Sequence, residues 1–525
     1  MTGDGGLPKP LGPWAIVLMA AVWLAATAWI RPLTVPDEGR YAGVALEMLS
    51  SGNWLVPTLN GLPFFHKPPL FYWITAASLS MFGMHEWAAR VAPLLGAAMA
   101  AFTLYGFALR WAGQPSAWMS LLVLVTQPLF FIGAQFANLD MLVAGCIAAT
   151  VLALAHVVLQ AKQGRSSRFV LAAAYVFAAL GLLAKGLIGA ALPGLVILAW
   201  LLALRRPRLL LALVWLPGIV LFLGIALPWF VAMQWRFPEF ADYFFVVQHF
   251  KRFAQGGFNN AQPFWFFPAA LALLTLPWIL WLPPTAKASY WSDAERGPVR
   301  KLMWLWLAVV TLFFSLPQSK LIGYILPATV PLAFLIGDGI SLGIGTSHRI
   351  RKLWRLSAAL AIAACLAAAA AGAAYPGKSL RGLGRTLAKL AAPGEPVVFL
   401  DDYYFDVPFY ARLRAPVRVV EDWNDPRIVQ RDGWSKALLD AQRFAAGSAP
   451  RVLLSPAELT DAICHAKVTW VLGNYTMASL QPALVHATEV ARNGTTVLWR
   501  VPGRSPGSLN AAACPETPSV NSADK

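Results

Sequence analysis

The chain has 525 residues, of which 58% are hydrophobic and only 13% charged, with 23 Trp and 30 Phe. An ordinary soluble domain is about a quarter charged, so a soluble enzyme is excluded and most of the chain is expected to lie in lipid. The excess of 42 Lys and Arg over 25 Asp and Glu, a net charge of +17, sits in short clusters between apolar runs; this fits membrane orientation rather than a nucleic-acid surface.

Crossing about 30 Å of hydrocarbon takes about 20 helical residues. Apolar runs of that order occur at 12–30, 86–109, 115–133, 138–160, 168–184, 187–204 and 209–233, then at 264–284, 301–316, 320–342 and 353–374. They predict an α-helical polytopic membrane protein of about 11 transmembrane helices. No small-residue cleavage site follows the first run, which reads as a retained helix rather than a signal peptide. With a cytoplasmic N-terminus, Arg205, Arg206 and Arg208, and again Arg349, Arg351, Lys352 and Arg355, fall on the cytoplasmic side. The longer opposite loops carry fewer basic residues, as the positive-inside rule requires. An odd number of spans places everything after about residue 375 outside the cytoplasm.

The composition changes at that point. Short β-like runs at 397–400, 417–420, 451–454, 468–472 and 495–499 alternate with a helical pattern over 434–445, predicting an extracytoplasmic α/β domain. The expected division is a membrane catalytic domain over 1–375, an α/β domain over 376–502 and a disordered, Gly-, Pro- and Ser-rich tail over 503–525. Of the four cysteines, Cys464 and Cys514 fall in an oxidising compartment, where pairing is open to them; no metal-ligand spacing is present.

Two outer connections, 31–85 and 234–263, are longer than packing requires, and long ordered loops usually work. The first carries Val35-Pro-Asp-Glu-Gly-Arg-Tyr41, an amphipathic stretch ending near Trp54, and Phe64-Phe-His-Lys-Pro-Pro-Leu70; its aromatic content suggests helices lying in the interface. Asp37 and Glu38 stand at a helix start, where a cap and dipole role competes with a catalytic one. Asp140 lies inside an apolar run, where a carboxylate is costly enough to be functional by default. Lys67, with Arg40 and His66 near it in sequence, is a natural phosphate partner, against the plainer alternative of interfacial snorkelling.

The second loop interleaves Gln248, His249, Lys251 and Arg252 with aromatics, which suits a sugar face and a phosphate as well as an interfacial belt. Lys185, Lys320 and Tyr324 are expected at the same level. The run Asp401-Asp-Tyr-Tyr-Phe-Asp406 reads either as acceptor recognition or as a plain strand-end loop. No nucleotide-binding or hydrolase motif is present, so a lipid-borne donor is the simpler supply.

Taken together, Pro36-Asp-Glu-Gly-Arg-Tyr41, Lys67-Pro-Pro-Leu70, Asn138-Leu-Asp140, Leu183-Ala-Lys-Gly186, Gln248-His-Phe-Lys-Arg-Phe253 and Ser319-Lys-Leu-Ile-Gly-Tyr-Ile-Leu-Pro327 make the chain resemble the GT-C glycosyltransferases that use polyprenyl-phosphate sugars. The resemblance is strongest to the aminoarabinose (ArnT-type) lipid A transferases and weaker to the protein O-mannosyltransferases. It implies a bacterial inner-membrane enzyme with a periplasm-facing cavity, a polyprenyl-phosphate sugar as donor, and lipid A or another envelope glycolipid as acceptor. Asp37 would be the principal catalytic carboxylate and Asp140 a second acid. Lys67, Arg252 and Tyr324 would hold the donor phosphate; Glu38, Arg40, His66, Lys185, His249 and Lys320 are further cavity candidates. No metal ligands are assigned. Where the aminoarabinose enzymes tend to carry a carboxylate before Lys-Pro-Pro this chain has His66, so a divalent metal and the identity of the sugar stay open.

Overall fold

The structure, a computed structural model, describes residues 12–251, 260–343, 348–430, 433–445, 451–478 and 481–503. It forms two compact units, Met1–Pro32 with His66–Pro376, and Leu33–Phe65 with Gly377–Lys525.

In the first unit, among the described residues, seven helices are long and apolar enough to cross a membrane: Val91–Trp111, Leu139–Lys162, Arg168–Lys185, Leu216–Arg236, Gly297–Ser315, Ile322–Gly343 and His348–Ala374. Two further runs are broken, Gln114–Thr126 from Pro128–Ala134 by 66° and Phe266–Leu274 from Trp278–Ala286 by 95°. A proline sits at each break, Pro128 and Pro277, where it removes a backbone donor and clashes with the preceding turn. The remaining two runs form shorter helices, Pro13–Ala25 of 13 residues and Ile188–Ala203 of 16. The chain is thus a multi-pass helical membrane protein, and the eleven apolar runs resolve into straight, broken and short helices.

Helices in lipid gain little from hydrophobicity and associate through close packing at small residues. Helices 91–111 and 139–162 cross at Gly96 and Gly145: a Cβ at 96 would meet Leu142 Cα at 2.6 Å, and one at 145 would meet the Gly96 carbonyl carbon at 2.7 Å.

One buried cation in this unit serves the backbone. Arg90 is fully buried; its Nη1 donates to the carbonyls of Ala28 (2.5 Å) and Arg31 (3.0 Å), and its Nη2 to that of Pro32 (2.9 Å). All three carbonyls lie in the stretch that follows helix Pro13–Ala25. Arg90→Ala is expected to cost about 3 kcal/mol or more, since each bond to a charged group is worth about 1.5–3 kcal/mol. Arg90→Lys should recover only part, lacking the fork that reaches three acceptors. Thermal unfolding in detergent checks both.

The expectation that 31–85 forms one outer loop of the membrane part meets a different arrangement, because 33–65 packs within the second unit. Helix Asp37–Ser51 ends on Gly52 at φ 70, the left-handed position that favours glycine. Strands β1 (Thr58–Leu59) and β2 (Leu62–Pro63) then form a hairpin around Asn60 and Gly61, at φ 55 and 74, the geometry that Asn-Gly adopts readily. Glu47 fastens this turn, accepting from Thr58 Oγ1 (2.8 Å), Asn60 N (2.5 Å) and Gly61 N (2.9 Å). Burial pushes its carboxyl up, and these three donors partly offset the effect. Asn60 in turn exchanges two hydrogen bonds with the Val417 backbone, at 2.9 and 2.8 Å. A segment whose polar groups find their partners this way need not lie along a lipid surface.

The rest of this unit is a six-stranded sheet of β3 (Val397–Leu400), β4 (Arg418–Val420), β5 (Leu453–Leu454), β6 (Val468–Asn474), β7 (Thr488–Asn493) and β8 (Thr496–Pro502), in the order β5-β4-β3-β6-β8-β7. The first four are parallel and the last two antiparallel. The core includes Val398, Leu400, Leu459, Val471 and Val497. Cys464 is disulfide-bonded; Cys514, Gly256 and Gly257 of the second outer connection, and the tail beyond 503 lie outside the described residues.

Candidate active site

The polar site of the first unit is built on a helix end. Helix Leu139–Lys162 begins at Asn138, whose Oδ1 accepts the backbone N–H of Asp140 at 2.7 Å. Asp140, 6% exposed, then receives a second bond, from Asn138 Nδ2 to its Oδ2 at 3.0 Å. Its Oδ1 pairs with Lys185 Nζ. Lys185 is the last residue of helix Arg168–Lys185, and its ammonium also lies 4.2 Å from the centre of the Tyr324 ring, close enough for cation–π attraction. Tyr324 belongs to the tight helical turn Ile322–Ala328 and rests against Phe314, centroids 5.6 Å apart. Three predicted residues, Asp140, Lys185 and Tyr324, are therefore brought together from three elements.

His66 and Lys67 are half-buried and precede Pro68, Pro69 and helix Leu70–Phe82. His66 Nε2 is 2.8 Å from Tyr243 Oη, which also accepts from Gln248 Nε2 at 3.1 Å. Tyr243 and Gln248 lie in a wide helical turn over Asp242–Lys251. The neighbouring aromatics pack on one another, with Phe244 fully buried against Trp229 and Phe230. Lys320 is committed elsewhere: it is 3% exposed, and its ammonium donates to the carbonyls of Gln262 (2.8 Å) and Pro317 (2.5 Å). This clips residues 260–262 to 318–320. Arg252 and the side chain of His249 lie outside the described residues.

In the second unit, Asp37 opens helix Asp37–Ser51 and pairs with Arg40 at 2.5 Å. The Arg40 guanidinium lies 5.4 Å from the Tyr41 ring centre and 5.7 Å from that of Phe405. Glu38 is fully buried and accepts the Thr34 backbone N–H at 2.9 Å, one helical turn back, which is a capping contact. Gly39 lets this helix close on 405–406, since a Cβ there would stand 2.9 Å from Asp406 N.

A family model described as dolichyl-phosphate-mannose-protein mannosyltransferase matches residues 66–231. The undecaprenyl phosphate-α-4-amino-4-deoxy-L-arabinose arabinosyl transferase of Pectobacterium carotovorum is 30% identical over 422 residues, covering 80% of this chain and 74% of that protein. The chain belongs to this arabinosyltransferase family. The similarly named protein of Shewanella sediminis is 32% identical over 313 residues, but only 59% of this chain and 56% of that protein are spanned. The arabinosyltransferase fold is met again in the crystal structure of ArnT from Cupriavidus metallidurans bound to undecaprenyl phosphate. It has a TM-score of 0.77 and 24% identity, and covers 93% of this chain and 97% of that one.

Two further carboxylates of this arabinosyltransferase-family chain are buried, Asp338, which escaped the sequence, and Asp406, which ends the acidic and aromatic run 401–406. Asp338, fully buried in helix Thr329–Gly343, accepts from Arg300 Nε (2.7 Å), Ser116 Oγ (2.8 Å) and Arg296 Nη1 (3.3 Å); a lone Asp between Gly337 and Gly339 in an apolar run was the available signal. Asp406 is 1% exposed, accepts from Ser379 Oγ and Leu380 N, both at 2.8 Å, and burial pushes its carboxyl up to about 6. Because the folded chain keeps this proton where the unfolded chain has lost it, Asp406 favours folding most below about pH 4. That advantage fades as pH rises through about 6, a window worth about 3 kcal/mol. Melting temperature against pH should show this decline in the parent, and Asp406→Asn, which cannot ionise, should lack it.

Among the described residues no three His, Cys, Asp or Glu side chains gather as a metal-binding group.

Proposed function

We propose that the chain is an inverting glycosyltransferase that moves 4-amino-4-deoxy-L-arabinose from undecaprenyl phosphate to lipid A, on the periplasmic side of a bacterial inner membrane. The reading is carried by the Asp140, Lys185 and Tyr324 constellation, a desolvated cation held at a helix end in a family whose named members use an undecaprenyl-phosphate sugar. An apolar groove of about 360 Å³, lined by Leu271, Ile279, Leu282, Trp304, Leu307 and Leu332, suits a branched hydrocarbon chain.

The reaction is a single displacement at the anomeric carbon. The acceptor oxygen forms the new bond as the bond to the carrier phosphate breaks, and the electron pair leaves on the phosphate. Lys67, Lys185, Arg252 and Tyr324 stabilise that growing charge. Asp37 orients the acceptor and, where it is a hydroxyl, takes its proton; an acceptor phosphate is already ionised and needs only positioning.

Purified protein in liposomes with the undecaprenyl-linked aminosugar and lipid A should yield glycosylated lipid A by mass analysis. An unmodified acceptor, or a co-purifying polyprenyl carrier bearing a hexose, would move the reading to another sugar or acceptor; His66 before Lys67 is the residue that favours that second reading.

A further inference from the structure

Asp140 is fixed from more sides than an ion pair requires. Asn138 performs two tasks with one side chain: its carbonyl oxygen caps the helix and its amide donates to Asp140 Oδ2. Lys185 holds the other oxygen, Oδ1. With a separate partner on each oxygen the carboxylate cannot turn about its own axis without breaking one of them. The third restraint is steric. A Cβ on Gly323 would lie 2.8 Å from Asp140 Cγ and 3.0 Å from its Cβ, and closer still to Oδ2; the three nearest atoms all belong to Asp140. Gly323 does not adopt a positive φ, so it is not needed for backbone freedom; its bareness answers to Asp140. Tyr324, the next residue, carries the ring against which Lys185 lies. One short turn thus sets both the carboxylate and the ring that confine the ammonium.

We propose that Asn138 and Gly323 are positioning residues that orient the Asp140 carboxylate and, through it, aim the Lys185 ammonium at the donor phosphate. The inference rests on the function proposed above. Neither residue touches the reacting atoms; each acts by removing freedom from a group that does. Small misplacements are costly in a preorganised site, where about 1 Å can cost about 100-fold.

The test is a set of variants of the full chain, assayed with the undecaprenyl-linked aminosugar. Gly323→Ala and Asn138→Asp should each lower kcat about tenfold or more and move the donor KM less. Asn138→Asp keeps the helix cap, because Asp caps about as well as Asn, so the chain should still fold, with a melting temperature lowered by the new carboxylate that faces Asp140 Oδ2 in place of an amide. The decisive readout is the double-mutant cycle: in an Asp140→Asn background, Gly323→Ala and Asn138→Asp should add little further loss. Where that background turns over too slowly to follow, affinity for undecaprenyl phosphate supplies the same cycle. Additive losses, or parental kinetics in both single variants beside an impaired Asp140→Asn, would overturn the inference and leave the proposed function standing. An Asp140→Asn protein with full activity would overturn the role of Asp140 itself.

Discussion

Asp37→Asn should reduce transfer by about 10²–10⁴-fold, the range set by loss of a positioned general base, while the protein stays folded. Asn keeps an oxygen to accept from Arg40, which pairs with Asp37 at 2.5 Å, and the amide is nearly isosteric with the carboxylate, so the helix start is preserved. Glu38→Gln is the matched control. Its oxygen still accepts the Thr34 N–H, and it should transfer at close to the parental rate. Single-turnover assays with equal amounts of folded protein compare the two. Parental turnover by Asp37→Asn would remove this residue from the chemistry, and a similar loss in both variants would point to the helix start instead.

The largest effect on stability is expected at Asp338. Asp338→Ala leaves Arg300, itself 1% exposed, without its buried counter-charge, and breaking such a pair costs about 3–5 kcal/mol. Ser116 and Arg296 lose the same acceptor, so helices 114–126, 297–315 and 329–343 all lose a tie. Low yield and a melting temperature depressed by several degrees are the expected result. Replacing both members, Asp338→Leu with Arg300→Met, should recover much of the loss, because an apolar pair of similar volume avoids the desolvation cost. If Asp338→Ala melts with the parent, the network contributes nothing.

Much of the architecture was legible because lipid imposes a simple rule: about 20 apolar residues per crossing. What the rule did not reveal was breakage at Pro128 and Pro277, since runs of composition continue through a bend that geometry does not. Five of the six strands of the large sheet were visible as β-branched runs, whereas β7 was not. Its sequence Thr-Glu-Val-Ala-Arg-Asn is largely exposed, and an outer strand with charged side chains carries no apolar alternation to read. The turn at Asn60-Gly61 was readable from the dipeptide, but its neighbourhood of aromatics suggested lipid.

At the site, the residue types were readable and their pairing was not. Asp140 and Lys185 stand 45 positions apart, on different helices, and no local spacing announces such a contact. Lys320 shows the reverse problem: an isolated lysine in an apolar setting invites a ligand, yet two of its three donors go to the carbonyls of Gln262 and Pro317.

The second unit is discontinuous, joining 33–65 to residues after 376. During synthesis, when domains tend to fold in N-to-C order, Glu38, Glu47 and Asn60 emerge from the ribosome more than 300 residues before Val417 and Phe405 exist to receive their neighbours. Helix 37–51 must therefore wait, held only by its own hairpin, until the residues around 405 and 417 have been made. A nonsense mutation near residue 380 would leave a chain able to insert yet holding Asp37 on an unfinished scaffold, so termination there should abolish the proposed transfer as completely as loss of the carboxylate.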